Sequence, residues 1–374
     1  MGFLLKRLEL HDFRNHQALS FTSDAGVIVV VGANASGKSS ILEAIQLLCG
    51  FDSFRTSSWH DLVRINQETC RIIGDFQEAD RSYNVEMLVV DGKRQYLFNG
   101  KKRRLGDMTG VIPIVLFTPD DLDLIKGAPE QRRLCFDSIG KRLSKQYKKI
   151  YQDYAKTLSQ RNSILRERQK NRMIDEPPRP EELVWEEHLA DLGALLTVNR
   201  YKLYSRLMKY AKEHYAHLSG GETLDSAYLP SYDKNEAIGL LHIPETNEVK
   251  SLMLEAMETR RREEYLRGVS LVGPQRDEIS FFVDGREARS YASQGQQRSV
   301  ALALKMAELD VCRDITANDA ILLLDDVLSE LDLTRRQSLL SLSSNVGQCF
   351  ITTADLRVIP DQFLSSANII ELKR

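Results

Sequence analysis

Apolar residues alternate with polar ones over Phe3–Leu10 and again over Ala18–Phe21, which predicts two strands. Val27–Val31 is instead an unbroken β-branched run, the composition of a strand buried on both faces. A short polar interruption follows. Ile41, Leu42, Ile45 and Leu48 then repeat at helical spacing, so a strand gives way to a helix. Phe51–Asn66 is polar and irregular. Arg71–Phe76, Tyr83–Val90 and Gln95–Phe98 predict a meander whose turns are Glu78-Ala79-Asp80, Asp91-Gly92 and Asn99-Gly100. Lys101-Lys102-Arg103-Arg104 would form a basic hairpin tip, either solvated or a phosphate contact. Val111–Phe117 is a further buried strand, after which Thr118 or Asp120 can start a helix.

The period then lengthens. Leu143, Tyr147, Ile150, Tyr154, Leu158 and Leu165 mark one long amphipathic helix. Pro177-Pro178-Arg179-Pro180 ends it, and Trp185, Leu189, Leu192, Leu196, Asn199, Leu203, Leu207 and Tyr210 mark a second, for which an antiparallel helical hairpin is the natural arrangement. Strand-like patterns return at Thr223–Tyr232 and Ile279–Val283, followed by the turn Asp284-Gly285. A helix carrying Val300, Leu304, Ala307 and Val311 on one face comes next. Ile321–Leu324, Gln348–Thr352 and Ile369–Leu372 are the last strands.

Composition narrows the class. At 374 residues, with 42% hydrophobic and 28% charged, the chain has room for two or three globular units. No apolar run approaches the roughly 18 residues of a membrane span, and the N-terminus is too short and charged for a signal peptide. Five scattered cysteines without a C-x-x-C pair argue against a zinc site or a disulfide framework and suit a reducing cytoplasm. The net charge of −2 leaves nucleic-acid binding to local patches. One stands out. Lys141–Arg172 carries eleven Lys and Arg against Asp153 and Glu167, whereas Met173–Asp191 carries seven acids against Arg179. The basic face either tracks a polyanion through residues such as Lys148, Lys149, Arg166 and Arg168, or pairs across the hairpin with those acids.

The interruption after Val31 carries the clearest chemistry. Gly32-Ala33-Asn34-Ala35-Ser36-Gly37-Lys38-Ser39 is a complete G-x-x-x-x-G-K-[ST] P-loop between strand and helix. Its backbone N–H groups and the helix N-terminus cradle phosphates, Lys38 at the loop mouth reaches the β- and γ-phosphates, and Ser39 ligates Mg²⁺ with Ser40 adjacent. Arg14 and Asn15, in the turn between the first two strands, are either phosphate or ribose contacts or plain turn residues. Ile321–Leu324 ends in Asp325-Asp326, a Walker B strand: Asp325 holds Mg²⁺ through water and Asp326 stands where a general base belongs, with Lys38 as the other catalytic residue. Ser329-Glu330-Leu331-Asp332 occupies the position of a D-loop.

Two segments compete for the signature motif of ABC-type ATPases. Leu218-Ser219-Gly220-Gly221-Glu222 imitates LSGGQ, but it lies more than a hundred residues before Walker B and is followed by a strand pattern. Ser293-Gln294-Gly295-Gln296 opens a helix 32 residues before Asp325, with Ser293 as a good N-cap and open amides around Gly295. The second is the signature in this reading, giving Ser293, Gly295 and Gln296 as nucleotide contacts.

P-loop, signature, Walker B and D-loop in this order, split by a helical insertion, resemble the ABC-ATPase heads of SMC and Rad50 proteins. Phe13-Arg14-Asn15, Gly32–Ser39, Thr118–Arg133, Ser159–Asn162, Gly273–Glu278, Ser293–Arg298 and Leu322–Asp332 are most similar to the bacterial RecF family. The resemblance implies an α/β P-loop ABC-ATPase head: lobe I from residues 1–120 and 306–374, a mixed sheet with helices, and a mainly helical lobe II at 121–305 with its hairpin near 130–217. It further implies ATP and Mg²⁺ as cofactors, an ATP-dependent homodimer, double-stranded DNA and single/double-strand junctions as partners, RecO and RecR alongside, RecA loading at gaps, and slow hydrolysis that resets a switch. Two departures accompany it. Gln275 stands where the family's Gly-Pro-His-Arg-Asp has histidine, and Thr352-Thr353-Ala354-Asp355 stands where transporters carry the switch histidine. The Q-loop is unassigned, with Thr118–Asp121 at about its position. The shorter Asp326 in place of the usual glutamate also argues for slow turnover. A transporter's nucleotide-binding subunit would need that histidine, a Q-loop glutamine and LSGGQ near Walker B; a metabolite kinase would lack the D-loop and hairpin.

Overall fold

The β-branched run leading to Gly32 becomes the second strand of a five-stranded parallel sheet, where both faces are covered and no alternation is needed. The computed structural model describes residues 2–108, 110–233 and 243–372, which form two units: Met1–Leu122 with Leu302–Arg374, and Asp123–Ala301. The first unit starts with β1 (Phe3–Phe13), β2 (His16–Thr22), β3 (Val27–Gly32), β4 (Thr69–Glu78), β5 (Arg81–Val90), β6 (Lys93–Phe98), β7 (Lys101–Arg103) and β8 (Ile114–Phe117). The second contains β9 (Leu224–Leu229), β10 (Glu278–Val283) and β11 (Arg286–Glu287), and the first resumes with β12 (Ile321–Asp325), β13 (Gln348–Thr353) and β14 (Asn368–Leu372).

In the first unit the parallel sheet has the order β14-β3-β13-β12-β8, beside a six-stranded antiparallel sheet β2-β1-β4-β5-β6-β7. The helix Lys38–Leu48 touches strands of both. Sequence spacing selects one apolar face for it, yet Ile41, Leu42, Ala44, Ile45, Leu47 and Leu48 are all fully buried, because a helix between two sheets has no outer face. The sheets are also tied by one side chain. β1 bulges between Leu5 and Arg7, and Gln348 of β13 accepts the Leu5 N–H (2.7 Å) while donating to the carbonyls of Leu5 (3.3 Å) and Ala25 (3.1 Å).

Two expectations change here. Lys101–Arg103 is an exposed edge strand paired with β6 rather than a hairpin tip, a place where lysines also keep a sheet edge from pairing with other chains. The strand expected over Val111–Phe117 shortens to β8, which begins after Pro113, a residue with no N–H to give the ladder.

The second unit is built on helices Pro129–Leu143, Lys145–Lys170, Pro180–Ser219 and Thr246–Arg267, with a three-stranded sheet β11-β10-β9. The single helix expected through Leu143 is interrupted at Ser144, which is extended (φ −140°) and caps the next helix by accepting the Tyr147 N–H. Pro180 opens the 40-residue helix and Gly220 closes it at φ 74°, the proline-first, glycine-last arrangement. The hairpin is present but incomplete as a description: Thr246–Arg267 packs against both of its helices, and Tyr147, Ile150, Tyr154, Leu189, Val249, Met253 and Met257 share one core.

Arginines organise that core. Arg161 reaches Glu186 (2.9 Å) and Glu264 (2.6 Å), while Arg200 pairs with Asp137 (2.8 Å) and approaches Asp277 (3.5 Å). Arg168, fully buried, holds Glu182 (2.8 Å) and donates to the carbonyls of Met173, Glu176 and Pro177. It therefore clasps the proline turn between the two helices. This removes Arg168 from the expected polyanion-binding set: a fully buried guanidinium that spends four of its five N–H groups on a carboxylate and three carbonyls is not presented to a phosphate at the surface.

Candidate nucleotide-binding site

The P-loop lies at the C-terminal end of β3 and curls through left-handed residues Ala35 (φ 66°) and Gly37 (φ 97°) into its helix. Gly37 is required twice over. A side chain would be strained at that φ, and a Cβ would lie 2.4 Å from His16 Nε2 and 2.6 Å from Asn15 Oδ1. His16 in turn meets the Gly37 carbonyl at 3.1 Å, so the turn between β1 and β2 braces the loop.

A cleft of about 840 Å³ opens over the loop. Arg14, Asn15, Asn34, Ala35, Gly37, Lys38, Ser39, Ser40 and Asp326 line it, so the sequence-selected turn, loop and Walker B residues converge. Arg14 forks onto the buried Glu43 (Nε to Oε2 2.8 Å) and donates to the Asp61 carbonyl (2.7 Å). Lys38 corrects one expectation. It is buried rather than exposed at the mouth, its ammonium donating to the carbonyls of Gly32 (2.7 Å) and Ala33 (3.0 Å), the nearest acceptors on a tight loop.

Walker B meets the P-loop directly. Ser39 Oγ donates to Asp325 Oδ1 at 2.7 Å, and Thr352 Oγ1 donates to the same oxygen at 2.8 Å while accepting the Asp326 N–H at 2.9 Å. Adjacent hydroxyl and carboxylate oxygens are the hard donor set that suits Mg²⁺, which keeps water and phosphate as its other ligands. Asp326 is left-handed at φ 53° and faces the cleft. Burial raises its pKa above the usual aspartate range; Lys38 opposes the rise and Asp325 adds to it. Asp332 accepts the Arg335 N–H as N-cap of helix Leu333–Ser341, and its pKa is lowered by that bond.

The second unit presents the signature candidate. Helix Gln294–Thr316 opens on a capping box: Ser293 Oγ accepts the Gln296 N–H (3.2 Å) and Gln296 Oε1 accepts the Ser293 N–H (2.8 Å). Leu218–Glu222 closes a helix instead of opening one. On helix Lys145–Lys170, Lys149 and Arg166 are exposed and Lys148 is half-buried, and Lys101–Arg104 are exposed on and after β7.

Several cleft residues escape the sequence reading. Arg55, Asp61, Val63, Arg64, Ile65 and Asn66 come from the irregular stretch after the P-loop helix, with Arg55 bonded to Ser40 Oγ (3.3 Å) and Ile65 83% exposed. Only their arginines, in a stretch otherwise without pattern, hint at a role. Thr352 is signalled by a threonine pair ending an apolar strand.

The family model described as RecF/RecN/SMC N terminal domain matches residues 4–365. The DNA replication and repair protein RecF of Lactobacillus acidophilus is 34% identical over 99% of this chain and 97% of its own length. That of Microcystis aeruginosa is 36% identical over 99% and 98%. The solved structure of the recombination mediator protein RecF-ATPrS in the RecFOR pathway superposes with a TM-score of 0.86 at 30% identity, covering 96% of this chain and 94% of that one. An Smc head domain from Pyrococcus furiosus shares the fold (TM-score 0.53, 16% identity, covering 99% and 94%). With the match running from end to end in sequence and fold, the chain belongs to the RecF family of DNA replication and repair proteins.

Proposed function

We propose that this protein is an ATP-switched DNA-binding module of recombinational repair and replication-fork maintenance. ATP occupies the cleft over Gly32–Ser40, with Arg14 and Asn15 at its rim and Lys38 released from its carbonyls to the β- and γ-phosphates. Ser39 and, through water, Asp325 would hold Mg²⁺, which would supply charge neutralisation at the phosphates. Asp326 accepts a proton from the attacking water; its short side chain makes turnover slow, so the protein is a weak DNA-dependent ATPase serving as a switch. Ser293, Gly295 and Gln296, with Asp332, contact the nucleotide of a second copy, so ATP drives homodimerisation. The dimer clamps double-stranded DNA or single/double-strand junctions, using Lys148, Lys149, Arg166 and Lys101–Arg104, and acts in the cytoplasm with RecO and RecR to load RecA at gaps.

One observation carries this reading: Ser39 and Asp325, 286 residues apart in sequence, meet at 2.7 Å beside an open cleft lined by the P-loop. The test is light scattering of the full chain with and without Mg-ATP, repeated with duplex DNA. A mass that doubles with Mg-ATP and rises again with DNA is expected. A monomer under all conditions overturns the switch.

A further inference from the structure

The Leu218–Glu222 segment is not the signature, yet it touches it. After Ser219, Gly220 (φ 74°) and Gly221 (φ 115°) are consecutive left-handed residues that turn the chain back. Glu222 Oε2 accepts from the buried Tyr215 hydroxyl (2.7 Å), and Oε1 accepts from Gln296 Nε2 (3.0 Å).

We propose that Glu222 is a positioning residue for the Ser293–Gln296 anion site, an assignment that rests on the nucleotide-clamping reading above. An amide has a donor end and an acceptor end, whereas a carboxylate only accepts. Glu222 therefore fixes Gln296 with its nitrogen inward and its oxygen on the Ser293 N–H. With Gln296 committed in this way, Ser293 Oγ receives the Gln296 backbone N–H and keeps its own proton to donate outward. Without Glu222 only the Ser293 N–H holds the amide in this orientation, and the box that shapes the helix start loosens. Tyr215 holds the other carboxylate oxygen, so the end of the 40-residue helix sets the geometry of the loop that opens helix Gln294–Thr316.

The experiment compares the full chain with Glu222→Ala, Glu222→Gln and Ser293→Arg by sedimentation with Mg-ATP, and by amide hydrogen exchange at Ser293 and Gln296 without nucleotide. Glu222→Ala should weaken ATP-driven dimerisation about tenfold, the worth of one charge-assisted hydrogen bond. It should speed exchange at both amides and leave ATP binding by the monomer unchanged. Glu222→Gln keeps an acceptor toward Gln296 and should restore both readouts to within about threefold, because a neutral hydrogen bond keeps about half the strength of a charge-assisted one. A role in folding alone would not be rescued in this selective way. If Ser293→Arg blocks dimerisation while Glu222→Ala dimerises and exchanges like the parent, Glu222 has no positioning role and the clamping reading stands. If Ser293→Arg dimerises normally, the clamping reading falls and the proposal with it.

Discussion

Arginine does opposite work in the two units. Around the P-loop, Arg14 and Arg55 stand at the edge of an open cleft, each bonded to the protein but still reaching solvent. In the helical unit Arg161, Arg168 and Arg200 are buried and committed to carboxylates. Burying an ion pair is weak evidence for stability, but removing one partner is costly because the other charge stays behind. The same residue type thus marks a binding site where the surroundings are open and a structural staple where they are closed. Charge counted along a sequence does not separate the two.

The difference can be broken from either side. The largest effect belongs to the staples. Arg200→Ala leaves Asp137 and Asp277 buried without their cation and should cost about 3–5 kcal/mol in urea denaturation, with ATP affinity retained by whatever remains folded. A loss below about 1 kcal/mol would mean that these carboxylates accommodate themselves without Arg200. Next comes the cleft. Asp326→Asn should lower turnover by about 10²–10⁴ and accumulate the Mg-ATP-bound dimer, measured by phosphate release and light scattering. Loss of ATP binding instead would make Asp326, not Asp325, the principal metal partner.

Lys38→Ala should weaken ATP binding by about ten- to a hundredfold in calorimetric titration while moving stability by only about 1 kcal/mol, since it gives up two hydrogen bonds to carbonyls. Unchanged ATP affinity would remove the P-loop assignment. The smallest effect per residue is on the exposed face of helix Lys145–Lys170. Lys149→Glu with Arg166→Glu should reduce the salt slope of duplex binding by about 0.9 for each phosphate that is no longer neutralised, equally for all sequences, without changing the melting temperature. A melting change with intact DNA affinity would put these residues with the staples.

What the sequence discloses is set by how local the physics is. Val27–Ser39 is legible because strand, loop and helix follow one another and each has its own pattern. Walker B is legible for the same reason. Arg168 is not, since its burial depends on Glu182 and on carbonyls of a turn that forms only when two helices meet. Ser144 breaks a helix whose apolar spacing runs straight through it. Thr246–Arg267 buries Val249, Met253, Met257, Glu264 and Tyr265, a stripe obscured by the arginines and glutamates around it. Val63–Asn66 lines the cleft from an irregular loop, and irregular loops have no period to read.

The strand that carries the P-loop has an unusual history during synthesis. Its two neighbours in the sheet are β13 and β14, both encoded more than three hundred residues after it. At about 5–20 residues per second, β3 leaves the ribosome on the order of tens of seconds before either partner exists. The Asp123–Ala301 unit, continuous in sequence, can finish folding in that interval. A nascent or truncated chain lacking its last strands therefore has the phosphate-binding motif but neither of the strands that pair with β3. Nucleotide binding becomes a report that β13 and β14 have been made.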